Sequence, residues 1–172
     1  MKCYIGLDVS STNTGVCGID EKGKFLFFFL ITPPKKQNLE ERFLYVKKKL
    51  FELLESLDII GIGIETPSFY SRGRVIDLAR GNGYIYYSLL EKGYNIKGFT
   101  PSQVTKFLLN GKKKKDIKVD NVPAGIKKKA YLWQGLPKEI KDELLSSSYK
   151  KYDDLIDAYS VANLVLKEVN AG

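Results

Sequence analysis

Cys3-Tyr4-Ile5-Gly6-Leu7-Asp8-Val9 is an apolar run of strand length that carries a single charge near its end. A carboxylate in such a run is costly to bury unless it is paired or coordinated. Side chains alternate along a strand, so Gly6 shares a face with Asp8, while Ile5, Leu7 and Val9 point the other way. Ile59-Ile60-Gly61-Ile62-Gly63-Ile64-Glu65 repeats the pattern, with Gly61 and Gly63 on the face of Glu65 and Ile60, Ile62 and Ile64 opposite. Both acids are expected on faces cleared of bulk by glycine. If the two strands are neighbours in register, the acids meet above an open pocket.

Working outward, the polar turn at residues 10–15 leads to a second strand at 16–19. A turn at 21–24 leads to a third strand at 25–31, which Pro33-Pro34 ends. Three strands joined by short turns predict an antiparallel meander. Leu39, Phe43, Val46, Leu50, Leu53, Leu54 and Leu57 have helical spacing, which predicts a helix over 39–57. After the strand that ends at Glu65, the pattern predicts a helix over 75–91, closed by Gly93, and a short strand at 96–99. Pro101 opens a helix that runs to about residue 109, and Gly111 terminates it. A lysine-rich loop follows, then helices over 123–133, 137–145 and 152–169. The predicted class is α/β: a mixed five-stranded sheet, an antiparallel three-strand meander plus parallel strands, flanked by helices. No internal repeat or linker interrupts residues 1–172, and one domain is the simplest organisation.

The chain contains no histidine. That excludes a Ser-His-Asp triad, a Cys-His pair and a histidine zinc site. Any catalysis has to come from carboxylates, lysines, hydroxyls or a hard metal ion held by oxygen. Two cysteines, Cys3 and Cys17, do not make a disulfide framework and fit a reducing compartment. With no apolar run long enough to span a bilayer and no signal-peptide pattern, a cytoplasmic protein without membrane attachment is expected. The formal net charge is +8, with lysines in clusters. Such a chain attracts polyanions, of which nucleic acid is the commonest; a solvated lysine-rich surface is the plainer reading of the same charge.

Asp154 and Asp157 lie three apart near the start of the last predicted helix, on one face with Ala158, Val161, Ala162 and Val165. Two acids turned toward a sheet repel each other. The helix N-terminus offsets part of that cost, and a divalent cation would offset much more. Simpler roles are open for each acid. Asp8 fits a turn, Glu65 fits a pair with Arg72 or Arg74, and Asp153, Asp154 and Asp157 fit the cap of a surface helix.

Ile5-Gly6-Leu7-Asp8, Ile62-Gly63-Ile64-Glu65 and Asp154-Leu155-Ile156-Asp157-Ala158 resemble, in kind and order, the acidic motifs of the RuvC family of Holliday junction resolvases. Leu78-Ala79-Arg80-Gly81-Asn82-Gly83 is similar to the family's helix after the second acid. Thr100-Pro101-Ser102-Gln103-Val104 with Gly111-Lys112 is similar to its next strand-to-helix passage and glycine-lysine loop. The resemblance implies a ribonuclease H-like fold, a homodimer, and paired nicking of four-way DNA junctions with Mg²⁺ or Mn²⁺. It makes Asp8, Glu65, Asp154 and Asp157 a metal-binding catalytic tetrad. The chain departs from the family in reading Asp8-Val9-Ser10 where many members have Asp-Pro-Gly. Ser68 stands where many have an aromatic, and no histidine lies near the last acids. This drift resembles resolvases of bacteriophages, which cut branched DNA more broadly.

Phosphodiester hydrolysis can be served by two Mg²⁺ ions about 4 Å apart. Asp8 is expected to bridge them, with Glu65 on one ion and Asp154 or Asp157 on the other. Lys112, Lys113, Lys114, Lys115 and Lys118 are the expected DNA contacts beside the site, with Arg72 and Arg74 holding the strand. Phe69 or Tyr70 is a candidate to stack on an unpaired base, or else a core aromatic. Symmetric cutting calls for a two-fold dimer. The helix around 75–90, with Ala79, Gly81, Gly83, Tyr84, Tyr86 and Tyr87, suits that contact as well as ordinary core packing.

Three other readings stand beside this one. A small actin-like ATPase would use the polar turn at 10–15 to bind phosphate, but needs a second domain. A non-catalytic DNA-binding module explains the lysines and not the acids. A ribonuclease H acting on RNA-DNA hybrids shares fold and acids and differs in substrate.

Overall fold

A computed structural model describes residues 1–68, 75–126 and 130–172. Five strands form one sheet: β1 (Lys2–Asp8), β2 (Thr14–Asp20), β3 (Phe25–Ile31), β4 (Asp58–Glu65) and β5 (Ile96–Phe99), in the order β3-β2-β1-β4-β5. β1, β2 and β3 pair antiparallel, and β4 and β5 add to β1 in parallel, as the alternation of strand and helix predicts. The β2–β3 turn is closed by Asp20, whose carboxylate accepts from the amides of Lys22 and Lys24 at 2.8 and 2.9 Å, with Gly23 at φ 82°.

The helices are α1 (Leu39–Leu54), α2 (Val75–Glu91), α3 (Pro101–Leu109), α4 (Ala130–Gly135), α5 (Lys138–Ser146) and α6 (Asp153–Ala171). Asn38 and Glu41 form a reciprocal capping box at the start of α1, and Thr100 and Gln103 form another at α3, with Pro101 in its first turn. The core divides by sheet face. Ile5, Leu7, Ile62 and Ile64 pack under α1 and α2. Tyr4, Cys17 and Phe99 pack with α6 and with the buried residues of α3, α4 and α5. The period-two reading holds for β1 and for residues 61–64 of β4, but not for Ile60, which packs on the α6 side because a bulge opposite Cys3 and Tyr4 shifts the register there.

The C-terminal third differs from expectation. Of the helix predicted over 123–133, the described residues 123–126 are not helical, while Ala130–Gly135 form a helix. Before it, Ile126 N–H donates to Pro123 O in a turn, and Gly125 lies under the Tyr152 ring and accepts from the Tyr152 amide at 3.0 Å. That tertiary contact holds the segment out of helical conformation. The lysine-rich loop contains a short 3₁₀ turn at Lys114–Asp116. Among the described residues, no helix is long and apolar enough to cross a membrane.

Candidate metal centre

Parallel pairing of β1 with β4 sets Gly6 opposite Gly63 and Leu7 opposite Ile64, so the residues that follow, Asp8 and Glu65, finish side by side. On the other flank, Asp8 pairs with Gly15 of β2. The acids meet at an open cleft as the sequence suggested, but the glycines on this face do not form it. They admit α6. A Cβ on Gly6 would strike the Ala158 carbonyl and the Ala162 amide, and one on Gly15 would strike the Asp154 carbonyl. One on Gly63 would lie 2.6 Å from a Val161 methyl. Backbone therefore rests on backbone. The close seating carries the first turns of α6 to the ends of β1 and β4, which brings its acids to the strand acids.

Asp8, Glu65 and Asp157 each offer a carboxylate oxygen, and these oxygens all lie within 4.8 Å of one another. Asp157 is buried, while Asp8 and Glu65 are half-buried. Asp154 adjoins the group through a hydrogen bond with Asp8. Burial above all, then the Asp157 and Asp153 carboxylates, push Asp154 up to about 6, against the smaller opposing pull of Lys151 and the Asp8 hydrogen bond. A carboxyl whose pKa is raised first by burial and then by neighbouring carboxylates sits where a cation would relieve the cost of its charge. The donors are all oxygen, the set a hard divalent ion prefers. The residues present fit such an ion.

Two supports hold the strand ends. Asn82 of α2 is buried and donates from Nδ2 to the Glu65 carbonyl at 2.8 Å, tying α2 to the end of β4. Beyond Asp8, the Ser10 hydroxyl accepts from the amides of Thr12 and Asn13 at 3.3 and 3.1 Å and donates to the Asn13 carbonyl at 2.6 Å. The Thr14 hydroxyl donates to the Ser10 carbonyl. A cleft of about 370 Å³ opens over Asp8 and Glu65, walled by Ser10, Thr66, Asn82 and Pro101. The sequence reading does not single out Asn82 as a site residue. Its signal is position: Asn82, Ile85 and Leu89 form one buried stripe of α2, and an amide in such a stripe needs a partner.

The predicted DNA contacts are placed less centrally. Lys112, Lys113, Lys114, Lys115 and Lys118 follow the C-terminal end of α3, whereas its N-terminal Pro101 lines the cleft. A nine-residue helix spans about 13 Å. Lys114 lies over the Tyr131 ring at 4.5 Å and Lys118 pairs with Asp120 at 3.3 Å. Phe69, Tyr70, Arg72 and Arg74 lie outside the described residues. In α2, Gly81 is buried beneath the Phe43 ring of α1 in the same chain, so it serves core packing. A Cβ on Gly83 would meet open space.

Neither a protein-family model nor a curated protein matches the sequence. Solved structures do match. RuvC from Thermus thermophilus in complex with a Holliday junction substrate superposes with a TM-score of 0.66 at 17% identity, covering 100% of this chain and 97% of that one. A second structure of Thermus thermophilus RuvC gives 0.66 at 16% identity, covering 98% and 96%. The chain has the RuvC fold. The match covers the chain from end to end, with the ribonuclease H-like arrangement of mixed sheet and flanking helices. At this identity the likeness is one of architecture.

Proposed function

We propose that this chain, acting as one nuclease domain, is a divalent-metal-dependent endodeoxyribonuclease that cuts branched DNA, four-way junctions above all, by paired hydrolysis of phosphodiesters. The observation that carries the proposal is the convergence of Asp8, Glu65 and Asp157, with Asp154 beside them, at one end of a sheet with the RuvC fold. The Thermus thermophilus protein of that fold is bound to a Holliday junction substrate, which supports the choice of DNA.

Asp8, Glu65 and Asp157 would hold the metal, Mg²⁺ or Mn²⁺, with Asp154 completing the set and leaving room for a second ion. Bound there, a divalent ion supplies a water of lowered pKa and counter-charge for the phosphate. The chain's own residues do the rest. Asp8 is fixed between β2 and β4, Glu65 is steadied through its backbone by Asn82, and Asp154 and Asp157 are delivered by α6. The cleft beside Asp8 and Glu65 is open to a phosphodiester, and Lys112, Lys113, Lys115 and the residues of the 69–74 segment would hold its flanks. Paired cuts would come from a dimer joined across α2, where Ile76, Tyr87 and Leu90 are exposed. Two of the other readings lose ground. The Ser10 hydroxyl already engages the amides of Thr12 and Asn13, which a phosphate-binding loop would leave open. A binding module without catalysis leaves the acid cluster without a purpose.

The test is cleavage of labelled four-way junction, duplex and RNA-DNA hybrid in Mg²⁺, Mn²⁺ or EDTA. Paired nicks on the junction are expected in metal alone. Asp8→Asn should lower the rate by more than about a hundredfold, since losing even an outer-shell partner of a metal costs about 10–100-fold. Cutting of the hybrid and not the junction would move the reading to a ribonuclease H. Binding without any cutting would move it to a DNA-binding module.

A further inference from the structure

Residues that leave the sheet at its carboxylate end belong to several separate stretches of chain. The stretch after β3 carries Lys35 and Lys36, and the stretch entering α6 carries Lys150 and Lys151. All four lysines are exposed, and none forms an ion pair with a carboxylate among the described residues. Both stretches lie toward β3, on the side of Asp8 opposite β4 and β5. The Tyr149 hydroxyl donates to the Phe28 carbonyl at 3.1 Å, which anchors the second stretch to the β3 edge.

Their backbones are held. Arg42 donates from Nη2 to the Lys35 carbonyl at 2.8 Å and from Nε to the Gln37 carbonyl at 2.9 Å. The Thr32 hydroxyl donates to Asn13 of the loop beyond Asp8 at 2.9 Å. The Tyr152 amide is bound to Gly125, and Lys151 is close enough to Asp154 to favour its charged form. These are cations on anchored supports, so little backbone ordering is left to pay on binding.

Charge makes the same demand. Asp8, Glu65, Asp154 and Asp157 repel a polyanion, so a strand crossing them needs cations on both sides. Toward β4 and β5 the lysines after α3 are available. Toward β3, among the described residues, the two lysine pairs supply exposed cations.

We propose that Lys35, Lys36, Lys150 and Lys151 form a second DNA-backbone surface. It binds phosphates on the β3 side of the cleavage site, so that the strand runs across the end of the sheet from the β5 side to the β3 side. This rests on the proposed nuclease function for its geometry and adds the path of the DNA. Backbone phosphate contacts release counterions, so each lysine engaged steepens the fall of affinity with salt by about one in log-log slope.

The test measures junction binding in Ca²⁺, or in EDTA, across a salt series. It compares Lys35→Gln/Lys36→Gln and Lys150→Gln/Lys151→Gln with Lys22→Gln/Lys24→Gln. The last pair removes equal charge from the β2–β3 turn at the opposite end of the sheet. Each flank variant is expected to bind several-fold more weakly than the control, with a slope shallower by about two. Flank variants that follow the control in affinity and slope would overturn the proposal. Circular dichroism and thermal unfolding matched to the parent exclude misfolding as the cause. The two ideas fail separately. A parent that binds DNA and never cuts it defeats the nuclease reading, while the flank is still judged by the comparison with the control.

Discussion

At the scale of single residues, Asp154 makes the sharpest prediction. Its folded pKa is raised from 3.8 to about 6, so the folded state holds this proton more tightly than the unfolded chain. The stability tied to that proton is complete below about pH 4 and is lost as the pH rises through 6. In EDTA at pH 7.5, Asp154→Asn should therefore melt above the parent, by about 2–4 °C for about 1 kcal/mol in a chain of this size. The gap should close below pH 4.5. Mg²⁺ or Mn²⁺ should reverse the order at pH 7.5, because the ion stabilises the parent's carboxylates and not the amide. Differential scanning fluorimetry reads both effects, and a parent that melts above the variant in EDTA at pH 7.5 would contradict the first. Asn82→Ala removes the hydrogen bond to the part-buried Glu65 carbonyl, at a cost of about 1 kcal/mol. It should also reduce cleavage about tenfold, in the range of outer-shell losses, measured in single turnover with the circular dichroism spectrum unchanged. Asp8 and Glu65 were legible in the sequence because each is a lone charge at the end of an apolar strand. Asp154 and Asp157 were legible from their spacing. Asn82 was not, since an amide among small helix residues looks like surface until its stripe is known to face the sheet.

At the scale of elements, the sheet-helix seam decides whether a site exists. Gly6→Ala places a methyl group on the Ala158 carbonyl and should destabilise the fold by about 3 kcal/mol, the upper part of the usual overpacking range. Where the variant still folds, Asp154 and Asp157 should stand away from Asp8 and Glu65, and metal-induced stabilisation should fall with cleavage. Gly83→Ala is the contrast. Its Cβ enters open space on α2, and the helix should gain up to about 1 kcal/mol. Equal unfolding midpoints for the two variants would remove the seam from the argument. The seam also shows where sequence reading stops. Alternation in β1 and β4 told which face glycine clears, but not what fills the clearing, because the filler, α6, lies far downstream of both strands. The same limit explains the helix predicted over 123–133. Local propensity favoured it, and the contact between Gly125 and Tyr152 holds residues 123–126 out of it, while 130–133 are helical as predicted. Elements governed by local rules, such as β3, α2, β5 and α3, keep their predicted bounds.

At the scale of the whole molecule, symmetry and charge remain to be tested. Ile76, Tyr87 and Leu90 are exposed on α2, and the exposed Leu44 of α1 lines a groove of about 260 Å³ with Phe43, Arg80 and Tyr84. Exposed apolar groups gathered in this way suit an isologous contact. Sedimentation should give a dimer for the parent and a monomer for Ile76→Glu/Tyr87→Glu. The monomer should nick a junction without pairing its cuts. The division of the site between β1 and α6 bears also on how the molecule is made. A growing chain that has released everything up to α5 holds Asp8 and Glu65 but neither Asp154 nor Asp157. Its glycine-lined sheet face is bare until the last helix docks. On the proposed function, a chain released only as far as α5 would be chemically silent, and hydrolytic capacity would arrive in one step when α6 docks.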